Sequence, residues 1–193
     1  MSRDRTTPPD GDFAAVLAAA VAGEEAAFVA LWRELQPPLR RYLGVLAPAW
    51  ADDVASETWH DVVRGLPRFR GDEHGFRSWV FTIGRHRALD WLRREARQAA
   101  TPVPVEWFAD REAADDTAGS ALDAISAEDA LAMLRRLPAD QAEVLALRVV
   151  AGMDVAMVSA VTGKRPGNVR VLAHRGLRRL AEELASAPDH ARG

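Results

Sequence analysis

The sequence predicts an all-α protein: two small helical domains joined by a flexible acidic linker, the C-terminal one a helix-turn-helix. Three observations predict it. No alternating apolar run bounded by an Asn-Gly or Asp-Gly turn is present, so strands have no signal. Apolar residues return every three or four positions through most of the chain, as at Phe28, Leu31, Trp32 and Leu35. Residues 99–126 break that period with Thr101-Pro102-Val103-Pro104 and then an acidic stretch containing Ala, Gly and Ser.

Taken in order, residues 1–12 are polar and Pro-containing and are expected to be disordered. Helices are expected over 13–22 and 24–46, the second punctuated by Pro37-Pro38, then over 51–66 with a stop at Pro67. A Gly-containing loop, 67–75, leads into a long helix over 76–98, which closes a first domain at 13–98. The linker, 99–126, could span roughly 90 Å at about 3.3 Å per residue. A second domain at 127–185 follows, with helices over 128–137, 138–151, 155–161 and from 166 to about 187, and a disordered tail at 186–193.

With 193 residues, 48% hydrophobic and 27% charged, the chain can bury a core. Zero cysteines exclude disulfides, thiolate zinc sites and cysteine nucleophiles. No run of about 18 apolar residues occurs, so neither export nor membrane insertion is expected and a cytoplasmic location follows. The histidines at 60, 74, 86, 174 and 190 form no metal-ligand spacing, and no Gly-x-Ser-x-Gly is present. We therefore expect no enzyme, no cofactor and no metal.

The net charge of −3 hides a pattern: −5 over residues 1–63, +5 over 64–98, −7 over 99–129 and +4 over 130–193. All six Trp, all six Phe and the only Tyr lie at or before Phe108. The first basic block can therefore stack unpaired bases, and the second has no ring to do so.

Three constellations stand out. Asp53, Glu57 and Asp61, with Asp52 beside them, make an acidic stripe at i, i+4 and i+8 of a helix, with Ala55, Trp59, Val62 and Leu66 on the opposite side. His60 is expected to point away from the stripe. Such a stripe reads as a solvated face or as a docking surface for a basic partner. The second constellation interleaves rings and cations: Arg68, Arg70, Phe76, Arg77, Trp79, Arg85, His86, Arg87, Trp91, Arg93 and Arg94. Guanidinium groups neutralise phosphates and flat rings stack on exposed bases, which is what a single-strand binder needs. Some of the apolar groups here must be core, with Phe76, Val80 and Ile83 the candidates. The third is a short apolar helix, a turn at Thr162-Gly163-Lys164 and a helix opened by Pro166, the helix-turn-helix pattern. Around it stand Lys164, Arg165, Asn168, Arg170, Val171, His174, Arg175 and Arg178, while Val169, Leu172, Leu177 and Leu180 supply its buried side.

The order of parts, with the strings Asp-Asp-Val-Ala-Ser-Glu-Thr, Phe-Arg-Ser-Trp-Val-Phe-Thr-Ile-Gly-Arg-His-Arg-Ala-Leu-Asp-Trp-Leu-Arg-Arg and Leu-Arg-Arg-Leu-Pro-Ala-Asp-Gln-Ala-Glu-Val-Leu-Ala-Leu-Arg, resembles the extracytoplasmic-function sigma factors of bacterial RNA polymerase, which keep only regions two and four. The resemblance covers roughly 24–97 and 130–184. It implies that Asp53 and Glu57 sit at contact positions for the β′ clamp of core polymerase, and that the 67–75 loop and the following helix melt and read the −10 promoter element. It further implies that the helix opened by Pro166 enters the major groove at the −35 element, that the linker threads the RNA path past the β and β′ subunits, and that an anti-sigma factor masks these surfaces. The chain departs from the family at Ser56, where Gln is usual, at His86, where Asn is common, and at Leu172, where a second Arg often stands. Two other classes fit parts of the pattern: a helix-turn-helix regulator acting directly on operators, and a helical adaptor for proteins.

Overall fold

The computed structural model describes residues 10–99 and 127–186. Residues 100–126 of the expected 99–126 linker, residues 1–9 and residues 187–193 lie outside the described residues, and Ala99 belongs to a helix. Among the described residues eight α-helices follow in order: α1 (Asp10–Val21), α2 (Glu25–Leu46), α3 (Ala51–Gly65), α4 (Glu73–Ala99), α5 (Ala127–Arg136), α6 (Ala139–Leu145), α7 (Val155–Thr162) and α8 (Pro166–Ser186). Helix α1 thus already includes residues 10–12.

Helix α2 runs unbroken through Pro37 and Pro38, against the expected punctuation. Each proline removes one backbone donor and crowds the preceding turn. The carbonyl of Pro37 accepts from Arg41 Nε at 3.2 Å on the solvent side. Leu31 and Leu35 before the prolines, and Leu39 and Leu43 after them, are buried, so packing on both flanks outweighs the local preference.

Helix α4 starts three residues earlier than expected, because Asp72 caps it: its Oδ1 accepts from Gly75 N at 2.8 Å. Asp154 caps α7 in the same way, accepting from Met157 N at 2.8 Å. The helix expected over 138–151 divides into α6 and a single π turn over Ala146–Val150. That wider turn carries Ala146 and Leu147 into the core and leaves Val149 at the surface.

In the N-terminal half, α3 lies on α2 and α4, and α1 closes over the start of α2. Leu35, Leu39, Leu43, Val54, Val62, Phe76, Val80 and Phe81 form its interior. Helices α2 and α4 come close at Gly84, where an added Cβ would stand 3.0 Å from Leu39 Cδ1. In the C-terminal half, α6 packs on α8 and α7 completes a three-helix core around Val144, Leu145, Val158, Val161 and Val169. The halves do not stand apart: α5, α6 and the π turn lie on α2, and α7 lies on α4, in one continuous apolar cluster.

Candidate nucleic-acid interface

The acidic stripe forms on α3 with the expected inner face, since Ala55, Trp59, Val62 and Leu66 are all buried. Trp59 is fixed from outside as well, its Nε1 donating to Gln36 Oε1 at 2.6 Å. The four carboxylates differ in availability. Asp52 is exposed and held by Arg40, Nη2 to Oδ2 at 3.1 Å, and this hydrogen bond keeps its carboxyl below the usual range. Asp61 is gripped by Arg64 and by Arg87 on α4. Burial alone would raise its pKa, but the hydrogen bonds from those two guanidinium groups outweigh burial and lower it. Glu57 lies 3.6 Å from Arg87. Asp53 stands in solvent with no ion pair among the described residues. His60 does not point away from this surface: it lines a shallow groove with Glu57, Arg64, Arg87 and Arg94, because it lies one turn after Glu57 on α3.

The rings of the second constellation gather at the start of α4. Phe69 stacks edge-on to Phe76 at 5.3 Å and lies 5.1 Å from Trp79, and Trp79 lies 5.9 Å from Phe76. Phe76 is wholly buried and contacts Phe13 as well, so it is a core residue, which corrects its place among the groups facing nucleic acid. Trp79 is half-buried against Gly65, whose missing Cβ makes room for the ring. Phe69, half-buried between exposed Arg68 and Arg70, was not among the expected contacts. Its signal is an aromatic between two cations in a loop, a pattern that helix periodicity does not register.

In the loop before α4 and along the helix the cations divide. Arg68, Arg70, His86, Arg93 and Arg94 are exposed. Arg77 is held by Glu34 at 3.3 Å and Glu73 at 3.4 Å, and burial raises the pKa of Glu34 in spite of that partner. Arg87 is held by Asp61, which raises its own pKa. Arg85 is held by Glu143 of α6 at 2.7 Å. These three are structural cations here: Glu34, Asp61 and Glu143, far along the chain, hold Arg77, Arg87 and Arg85, and only the Glu73–Arg77 pair follows local i,i+4 spacing. Trp91 stacks on Trp50 at 4.8 Å, with the Arg94 guanidinium 6.0 Å from its ring.

The third constellation forms the expected motif. Gly163 adopts φ +71 and ends α7 in the left-handed conformation, its N–H donating to Ser159 O at 2.9 Å. Pro166 opens α8. Val169 is wholly buried and Leu172 and Leu180 are partly so, but Leu177 is 53% exposed and is no part of the buried side. Arg165, Pro166, Asn168, Arg170, Val171, His174, Arg175 and Arg178 are exposed. Arg178 pairs along the helix with Glu182 at 3.2 Å, and Lys164 is drawn back to Asp140 at 2.8 Å. The exposed side of α8 is therefore rich in arginine and carries no Phe, Tyr or Trp.

Residues 27–98 match the family description Sigma-70 region 2, and residues 127–180 match Sigma-70, region 4. The ECF RNA polymerase sigma factor SigD of Mycobacterium tuberculosis is 35% identical over 189 residues, covering 92% of this chain and 86% of that protein. The chain belongs to the extracytoplasmic-function sigma factors. The ECF RNA polymerase sigma factor ShbA of Streptomyces griseus is 34% identical to it over 135 residues, covering 68% of this chain and 70% of the relative. Among solved structures, the sigma factor RpoE of Bartonella quintana, in complex with the anti-sigma factor NepR, matches this sigma factor with a TM-score of 0.66 at 20% identity, covering 83% of this chain and 98% of that one. CnrH, in complex with the cytosolic domain of CnrY, matches with a TM-score of 0.62 at 22% identity, over 90% and 97% of the two chains. Both have the same all-helical fold. No helix among the described residues of this sigma factor is long and apolar enough to cross a membrane.

Proposed function

We propose that this sigma factor joins core RNA polymerase through α3 and directs it to promoters by reading two DNA elements with unlike surfaces. Asp53 and Glu57 are the carboxylates we assign to the polymerase clamp, since Asp61 and Asp52 are hydrogen-bonded to arginines within the chain, whereas Glu57 meets Arg87 only at 3.6 Å and Asp53 has no ion pair among the described residues. The ring cluster of Phe69 and Trp79, with Arg68 and Arg70 beside it, takes the unpaired bases of the −10 element. A base swung out of the duplex loses its stacking at a cost of a few kcal/mol, and an aromatic platform next to cations recovers part of that. Helix α8 takes the −35 element in the major groove, with Arg165 just before it and Asn168 and Arg170 in its first turns.

The single observation that carries this reading is the separation of chemistry. One basic surface has half-buried indole and phenyl rings at a helix start, and the other has arginines and no Phe, Tyr or Trp, on a helix-turn-helix. A duplex-only regulator has no use for the first surface, and a protein adaptor has no use for the second. The sigma factor performs no catalysis itself in this scheme and works in the cytoplasm with polymerase. Because RpoE is solved with the anti-sigma factor NepR, we extend the reading to a protein partner of the anti-sigma class.

Reconstitution with core polymerase and a promoter library tests it. The expected result is co-purification with core and initiation from promoters sharing two elements about two duplex turns apart. Binding to palindromic duplexes without core, and no initiation with it, would overturn the proposal in favour of a direct operator regulator.

A further inference from the structure

The first turn of α8 has little of its own to hold it. Arg165, Pro166, Gly167 and Asn168 are all exposed, and the first buried side chain is Val169. A Cβ added to Gly167 would meet nothing within 4 Å, so no neighbour packs there, and glycine is a poor helix former. Arg165, the residue before the helix, carries only donors, so its side chain caps none of the free N–H groups. Farther along, α8 is seated closely on α6: a Cβ on Gly176 would lie 2.6 Å from Leu145 Cδ1.

The tie comes from the turn before the helix. Lys164 donates from Nζ to Asp140 Oδ1 of α6 at 2.8 Å, across 24 positions of sequence. Its side chain is only 17% exposed, whereas that of Asp140 is 67% exposed. The lysine thus lays its stem along protein and spends its charge on one carboxylate oxygen. Its backbone is fixed as well: Lys164 N donates to Thr162 Oγ1 at 3.3 Å, and that hydroxyl donates to Val158 O of α7 at 2.7 Å. Lys164 therefore joins α6 and α7 to the start of α8. It is the single lysine among 25 basic residues. A guanidinium in its place would offer a fork of donors suited to phosphate, which a compact ammonium does not.

We propose that Lys164, through its pair with Asp140, is a positioning residue for −35 recognition: it holds the turn so that the first turn of α8 meets base edges in register, and it meets no phosphate itself. The exposed arginines of α8 then supply affinity that any duplex can use. The Lys164–Asp140 tie supplies discrimination among sequences, because base edges demand a fixed helix start where phosphates tolerate a loose one. The role rests on the reading of α8 as the −35 helix, whereas the tie rests on the distances alone.

Anisotropy of the full-length chain on a −35 duplex from the selected promoters, and on a scrambled duplex, tests this. Lys164→Met keeps the stem and removes the ammonium, and Asp140→Asn removes the charge of its acceptor. Each should lower specific affinity about tenfold, the scale of one lost base contact, and leave the scrambled duplex and the slope of log affinity against log salt unchanged. The double variant should bind no more weakly than either single one, and Asp140→Glu should keep most of the affinity. Asp140 also lines a groove with Arg85, so the loss must appear at Lys164 as well as at Asp140. If Lys164→Met lowers the slope by about 0.9 while Asp140→Asn tightens binding, Lys164 is a phosphate contact and the proposal fails. Equal loss on both duplexes with a lower melting temperature makes the pair merely structural and also overturns it. Should Lys164→Met fail to fold by circular dichroism, Lys164→Gln gives the same readings. A wild type that does not discriminate the duplexes, free or with core polymerase, overturns the reading of α8 and this proposal together. A discriminating wild type with equally discriminating variants overturns this proposal alone.

Discussion

Arg87 on α4 donates to Asp61 on α3 at 2.6 Å and reaches Glu57 at 3.6 Å, so one guanidinium spans two carboxylates of the acidic stripe. The stripe is therefore partly an internal brace between α3 and α4, the two helices proposed to meet polymerase and promoter. Asp53→Lys should weaken core binding by about tenfold, ~1.4 kcal/mol, with the melting temperature nearly unchanged. Arg87→Ala should do the reverse in character, costing about 1 kcal/mol of stability. Binding assays beside thermal melts separate the two.

The same brace has a pH signature. The Asp61 pKa is lowered in the folded chain, so its contribution to stability is complete above the unfolded carboxylate value of about 3.9 and is lost as pH falls through the lower folded value. Asp61→Asn removes that contribution at every pH. Wild type and variant should therefore differ in melting temperature at neutral pH and converge below about pH 4. Parallel curves would show that Asp61 does not carry the effect.

Gly65 gives room to Trp79: a Cβ there would lie 2.6 Å from the indole Cζ2. Gly65→Ala should push the ring off its seat on Phe69 and Phe76 and destabilise the N-terminal half by about 1–3 kcal/mol, as overpacking does. Strand opening at the −10 element should suffer more than binding to a −35 duplex. Fluorescence of a base analogue placed in the −10 element, read against duplex binding by anisotropy, checks this.

At the turn of the helix-turn-helix, Gly163 holds φ +71. Gly163→Ala forces a side chain into the left-handed region at about 1 kcal/mol. The cost should appear in the melting of the C-terminal half and in −35 affinity together, because the turn sets the angle between α7 and α8. Loss of affinity without loss of stability would contradict it.

Arg165, just before α8, and Arg170, on it, are exposed and free of ion pairs among the described residues. If each meets one phosphate, replacing either by Ala should reduce the slope of log affinity against log salt by about 0.9. Arg178, already paired with Glu182 at 3.2 Å, should change the slope less. Salt titrations of the three variants on one −35 duplex give the comparison.

Much of the architecture is legible in the sequence because it is local. The period of Ala55, Trp59, Val62 and Leu66 names the inner face of α3, and Gly163 followed by Pro166 marks the turn and the start of α8. What escapes is set by partners far along the chain. Arg85 reads as a DNA contact until Glu143, 58 positions later, is brought against it. Arg87 reads the same way until Asp61 arrives from α3. Leu177 fits the apolar period of α8 yet stays outside, because α6 and α7 cover only part of that helix. Phe76 satisfies two patterns at once, core and stacking, and only burial distinguishes them.

Trp50 and Trp91 stack at 4.8 Å with an interplanar angle of 27°, one ring just before α3 and the other on α4. Two indoles this close couple optically. The pair should give a split band in circular dichroism that vanishes when either is changed to Phe. Because residues 127–193 hold no Trp, Tyr or Phe, that band reports on the N-terminal half alone, and the chain carries its own optical gauge of how those helices respond when polymerase binds.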